Sequence, residues 1–211
     1  MKKITLNSLL FSLFVCCSFL FVASCTEDNI ELVKHSVSVD ELLLDENFIA
    51  IGETMYDYAG FVKNTIEENG LSSAEMLPEL EALTNDESSD ENKEAKLNEI
   101  FKMNISQTLE SNAIVISSNM KILHSKYNNL DEALFTSAIS KYFEHKISAN
   151  VGARSCDNLF LLCGGGIAGG TMACFVGCTS ATVGLGAAPC AVFCGLLYTG
   201  GLVACYDNYC T

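Results

Sequence analysis

Residues 155–211 read SCDNLFLLCGGGIAGGTMACFVGCTSATVGLGAAPCAVFCGLLYTGGLVACYDNYCT. Eight cysteines stand at 156, 163, 174, 178, 190, 194, 205 and 210, eleven glycines lie among them, and no charged residue occurs from Asn158 through Tyr206. Cys174 to Cys178 is four residues, as is Cys190 to Cys194; Cys163 to Cys174 is eleven, as is Cys194 to Cys205. Steps of four and eleven are about one and three turns of α-helix. Cys163, Cys174 and Cys178 therefore line one face of a helix, and Cys190, Cys194 and Cys205 one face of a second. The order is mirror-symmetric about residue 184, where Gly184-Leu185-Gly186-Ala187-Ala188-Pro189 supplies turn chemistry. The pattern predicts an antiparallel helical hairpin with rungs Cys178–Cys190, Cys174–Cys194 and Cys163–Cys205, its ends tied by Cys156–Cys210. Cysteines four apart on one helix point poorly at each other, which favours rungs between helices.

A disulfide holds its α-carbons about 5.5–6 Å apart, closer than the usual 8–10 Å between helix axes. Glycine and alanine beside the rungs are therefore expected to let the two helices close up. Each helical glycine costs about 0.8–1 kcal/mol against alanine, and each disulfide returns about 2–4 kcal/mol. Gly164-Gly165-Gly166 is the place where the first helix is expected to bend or end. A metal site is disfavoured, because the segment has no histidine and no Cys-x-x-Cys knuckle. The same lack argues against thiolate redox chemistry. The outward apolar residues, among them Leu159, Leu162, Phe175, Phe193, Leu197 and Leu202, must meet the rest of the chain, a membrane or another copy. Two uncharged helices of about twenty residues have the length to span a bilayer.

Upstream the composition inverts. Residues 26–154 hold 24 acidic and 10 basic side chains, with no cysteine after Cys25. From Asp40, apolar residues recur at helical steps through Leu43, Leu44, Phe48, Ile51, Met55, Tyr58, Val62 and Ile66, and Asn69-Gly70 stops the run. Ser72-x-x-Glu75 has the form of a capping box, and Pro78 fits the first turn of a short helix ending near Leu83. Residues 84–90 read as a loop. One long helix is predicted from Glu91 to Tyr127 and a last one from Leu130 to Ile147. The fold class expected is mainly α: an acidic helical bundle, residues 40–148, followed by the stapled, glycine-rich apolar hairpin, residues 156–211, across a linker at 149–155.

The first residues read as an address. Lys2 and Lys3 precede an apolar run, Leu9 to Val22, that is too short and wrongly flanked for an ordinary spanning helix. Val22-Ala23-Ser24-Cys25 resembles a bacterial lipobox, which implies a signal peptide over 1–24 and lipidation of Cys25 at the head of a tether, 25–39. The acidic Thr26-Glu27-Asp28-Asn29-Ile30-Glu31 resembles the surface-export signal of Bacteroidota lipoproteins. Signal peptidase and lipid-transfer machinery are the partners so implied. The expected location is outside the cytosol, anchored to the outer membrane or cell surface, where disulfides persist.

Cys174-Phe175-Val176-Gly177-Cys178-Thr179-Ser180-Ala181 and Cys194-Gly195-Leu196-Leu197, set in a cysteine-dense and nearly uncharged C-terminus, resemble the halocin-like bacteriocins. The resemblance covers about 50 residues and implies an antimicrobial peptide released from a longer secreted precursor, with an immunity partner. Val151-Gly152-Ala153-Arg154 precedes Ser155-Cys156, and Arg154 is the only arginine in the chain. An arginine-specific protease cutting between Arg154 and Ser155 would free all eight cysteines together, and a small-residue linker is open to such a cut.

Net charge of −14 leaves no basic surface for phosphates, so nucleic acid is excluded as the main partner. His124 and His145 stand outside any metal-ligand or nucleophile spacing, so no catalytic residue, metal or cofactor is expected and the chain is not read as an enzyme. The expected activity is a toxin-like action on lipid membranes. The alternative is a permanent membrane or oligomerisation module on a surface lipoprotein.

Overall fold

A computed structural model describes residues 36–86, 90–149, 155–181 and 187–211, with some side chains of the hairpin near its turn left out. Lys34–Thr211 forms one compact unit; the preceding unit, Met1–Val33, lies outside the described residues. So do the signal peptide, Cys25, most of the tether, Arg154 and residues 182–186, which include the first half of the stretch expected to turn, Gly184–Pro189; its second half, from Ala187, lies in the last helix. Eight helices and no strands occur among the described residues: α1 Val39–Leu42, α2 Glu46–Glu68, α3 Ser73–Thr84, α4 Asp90–Phe101, α5 Ser106–Lys126, α6 Glu132–Ala149, α7 Ser155–Ala181 and α8 Ala187–Cys210. The fold is mainly α, as the periodicity predicts.

The run predicted from Asp40 is two helices. Ser38 and Glu41 cap α1 reciprocally, and the buried Asp45 restarts the chain by accepting from the Asn47 N–H at 2.9 Å. Phe48, Ile51, Met55, Tyr58, Val62 and Ile66 then form the buried stripe of α2. Its end is a Schellman turn. Gly70 takes φ +56°, the Leu71 N–H donates to Ile66 O at 2.9 Å, and the Gly70 N–H donates to Glu67 O.

Three local expectations are corrected. Ser72 makes no side-chain cap bond, and α3 starts at Ser73, so Pro78 sits past the first turn. Ser73 is drawn inward because its hydroxyl donates to Asp207 Oδ1 at 2.7 Å. The predicted long helix 91–127 breaks at Lys102, whose φ is +54°. The Met103 N–H donates to Asn98 O, and the Asn98 side chain accepts from the Ser106 N–H at 2.9 Å, pinning the start of α5. The bend allows Phe101 and Ile105, on either side of it, both to be fully buried. A left-handed lysine costs about 1–2 kcal/mol, which burying two such side chains outweighs.

Helices α7 and α8 form the antiparallel hairpin. Three of the predicted rungs are present: Cys156–Cys210, Cys163–Cys205 and Cys174–Cys194, with Cα–Cα distances of 5.2, 5.8 and 5.6 Å. Cys190 is disulfide-bonded, while the side chain of Cys178 lies outside the described residues. The triple glycine does not end α7, which runs from Ser155 to Ala181. Helix α6 packs along α7, α3 and α5 pack along α8, and α2 touches both. Phe160, Met172, Phe175, Leu196, Leu202 and Val203 thereby join one core with Phe48, Ile51 and Phe143.

The glycines act differently from expectation. A Cβ on Gly165 would lie 2.9 Å from Phe143 Cγ, on Gly169 2.6 Å from Thr136 Cγ2, and on Gly195 2.6 Å from Leu109 Cδ1. These three admit side chains of the surrounding helices rather than closing the hairpin on itself. Among the described glycines, Gly164 and Gly201, which face Leu202 and Ile167, serve contact between α7 and α8.

Candidate functional site

The hairpin is held on one side by an acidic sheath, and the contacts between them define the site. Most are apolar. Five polar contacts fix the register. The Thr199 hydroxyl donates to Gly195 O at 2.8 Å, which leaves Tyr58 to donate to Thr199 at 2.8 Å. Tyr198 donates to Met55 O at 3.1 Å, and Thr136 to Gly169 O at 3.2 Å. Burial pushes the Tyr58 and Tyr198 hydroxyls well above the ordinary phenol range, so both stay neutral donors.

The other two contacts meet the only charges of residues 155–211, Asp157 and Asp207. Lys63 of α2 lies 2.9 Å from Asp157 Oδ1 and 2.7 Å from Glu67 Oε1. Burial works to lower the Lys63 pKa, but the hydrogen bonds and charges of Glu67 and Asp157 outweigh it and hold the ammonium above its usual range. Ser73 of α3 holds Asp207. Both anchors sit at the end closed by Cys156–Cys210, so the hairpin is fixed by charge at one end and by shape along the rest.

Of the residues singled out in the sequence, Cys156, Cys163, Cys174, Cys194, Cys205 and Cys210 come together as paired rungs. Ser155 is the first residue of α7, while Arg154 and Cys25 lie outside the described residues. His124 is half-buried and His145 is exposed on a different helix. Among the described residues no three His, Cys, Asp or Glu side chains converge as metal ligands would. Sequence reasoning missed Lys63, Ser73, Tyr58 and Thr199. The signal available was Lys63 itself, a lysine beside Val62 and one turn from Ala59 and Ile66 on an otherwise apolar stripe.

The reading of two helices long enough to span a bilayer is corrected in one respect. Among the described residues no helix is long and apolar enough to cross a membrane. Compared with protein-family models, with curated proteins and with solved structures, the chain gives no match.

Proposed function

We propose that this chain is an exported, lipid-anchored precursor of a bacteriocin-like peptide. The acidic helices α1–α6 sheath the hairpin, and a cut after Arg154 frees residues 155–211 to act on membranes. The observation that carries the reading is covalent topology. Every described disulfide closes α7 on α8, and none ties the hairpin to the sheath. One backbone cut between α6 and α7 therefore leaves a cross-linked peptide joined to the sheath by non-covalent contacts alone. Released, it would expose Phe160, Met172, Phe175 and Leu202, each 0–1% exposed in the intact chain. Such a surface seeks the headgroup boundary of a bilayer, driven by about 25 cal/mol per Å² of apolar area. On this reading the released hairpin acts lying in that boundary, since among the described residues no helix is long and apolar enough to cross a membrane. The residues invoked are structural, and no covalent catalysis is part of the reading. Signal peptidase, lipid transfer onto Cys25, an arginine-specific protease and an immunity partner are its requirements.

The test is intact mass spectrometry of culture medium and membranes, before and after reduction. A peptide beginning at Ser155, gaining two hydrogens per disulfide on reduction and lethal to sensitive cells, supports the proposal. Finding only the lipidated, uncut chain overturns it. That outcome favours the second reading, a permanent module on a surface lipoprotein, for which the shared core of hairpin and sheath already argues.

A further inference from the structure

The sheath leaves one face of the hairpin open. On α7, Leu159 and Leu162 are 43% and 44% exposed, and Gly166 and Gly170 open onto empty space. On α8, Phe193 and Leu197 are 39% and 38% exposed, and Gly200 is likewise open. At about 100° per residue, both sets lie roughly 70–90° to one side of the direction in which the rungs point. The two helices run antiparallel, so that offset places both sets on the same side of the hairpin. They form one face to which α7 and α8 bring no charged residue, bordered at Phe193 by Lys93 and Glu94 of α4, on a chain of net charge −14.

The relief of that face has a pattern. The rungs set the level of each residue along the hairpin. Near Cys163–Cys205 the large side chains are Leu159 and Leu162 on α7, and their neighbours on α8 are Ala204 and Asn208. Near Cys174–Cys194 the large side chains are Phe193 and Leu197 on α8, and their neighbour on α7 is Gly170. Asn208 folds its amide back to donate to Ala204 O at 2.8 Å, which meets one of its hydrogen bonds. Large residues thus occupy one diagonal of the face and small ones the other.

We infer that this face is a self-association surface whose occupant is a second copy of the same chain. A two-fold axis parallel to the hairpin sets α7 of one copy against α8 of the other. Leu162 of each copy then meets Ala204 of its mate, and Leu197 meets Gly170. A surface whose large and small residues exchange under a two-fold is what an isologous interface requires. A bilayer makes no such demand. Charge points the same way, since two acidic bodies approach with less repulsion through a face to which its own helices bring no charge. The described part measures about 25 Å by 18 Å, or about 450 Å² per copy before corrugation. A standard specific interface takes about 800 Å² per partner, so the pair is a weak one, in the micromolar range. The inference concerns the uncut chain and holds whether or not Arg154 is cleaved.

The test is sedimentation equilibrium of the oxidised, lipid-free chain from Thr26 onward, which contains the whole compact unit, alongside Leu197→Lys and Gly170→Leu. The expected result is a reversible dimer that Leu197→Lys reduces to monomer with an unchanged helical circular-dichroism spectrum. Gly170→Leu is the deciding variant, because it adds apolar area and helix propensity while filling the hollow. Dimerisation weakened about tenfold or more by Gly170→Leu supports a shape-matched pair. Monomers at every concentration overturn the inference. So does association, or flotation with phosphatidylcholine–phosphatidylglycerol vesicles, that Gly170→Leu strengthens, since that is the response of an indiscriminate apolar surface or a lipid-facing one.

Discussion

Helices α7 and α8 carry three described disulfides and, from Asn158 to Tyr206, no charge; α1–α6 carry no described disulfide and are laced by ion pairs such as Asp40–Lys141, Asp45–Lys126 and Glu53–Lys146. The apolar stripes of the sheath are ordinary amphipathic faces with long side chains. Those of the hairpin are interrupted by glycines that surrounding side chains enter. The sheath therefore needs the hairpin to complete its core, while the hairpin keeps its own pairing through covalent bonds. Cross-links belong where intrinsic helix propensity is poorest, because α7 and α8 between them hold most of the glycine in the chain.

The largest effect comes from removing a rung. Replacing Cys163 and Cys205 together by alanine is expected to cost about 2–4 kcal/mol, since the loop they close is long. Urea denaturation followed by circular dichroism should show a single, lowered midpoint. Two separate transitions would show that the sheath folds without the hairpin and would break the comparison at its root. Next is Asp45. Burial alone would raise its pKa, but hydrogen bonds from Lys126 at 2.5 Å, Tyr127 at 2.6 Å and the Asn47 N–H outweigh that and hold it well below the ordinary carboxylate range. A depressed folded-state pKa means that the unfolded chain takes up the proton first. The stability Asp45 supplies is thus complete above the unfolded value of about 4 and declines as pH falls below it. Asp45→Asn should cost about 1–3 kcal/mol at pH 7 and flatten the acid limb of the stability–pH curve. An acid limb unchanged in the variant would assign the sheath's acid sensitivity elsewhere.

The hairpin was legible because its information is local and periodic. Three rungs followed from steps of four and eleven residues and a mirror centre, with no knowledge of the sheath. The break at Lys102 was not legible. Lysine is a poor left-handed residue, and its position there is set by the burial of Phe101 and Ile105 against distant helices. The glycines were legible as close-approach positions but not as to what approaches. Phe143, Thr136 and Leu109 come from elsewhere in the chain, and nothing at 165, 169 or 195 names them. The anchors on Asp157 and Asp207 were hidden for the same reason, although a segment with only two charges demands partners for both.

A third prediction tests the sheath side of the hairpin. Gly195→Val places new atoms against Leu109, which is itself almost fully buried and cannot retreat. The expected loss is about 1–3 kcal/mol, the usual cost of overpacking, read from the urea midpoint. An unchanged midpoint would mean that α5 and α8 can separate without penalty, and the sheath would then be a loose cover rather than part of the core.

The smallest effect is the sharpest, because it contrasts two adjacent residues of the same kind. Gly165 and Gly166 share one helix, so alanine gains about 0.8–1 kcal/mol of helix propensity at either position. A Cβ at 166 meets nothing within 4 Å. At 165 it meets the ring of Phe143 at 2.9 Å, and Phe143 is fully buried between α2 and α7. Gly166→Ala should therefore raise stability by nearly the whole propensity gain, while Gly165→Ala should lower it by about 1 kcal/mol as ring displacement outweighs that gain. Both are read by thermal denaturation in dilute solution, where association does not contribute. Opposite signs at neighbouring positions would locate the boundary between the sheathed and open faces to within one residue. Equal gains at both would mean that α6 does not bear on α7 at this level, and that the open face extends around the helix.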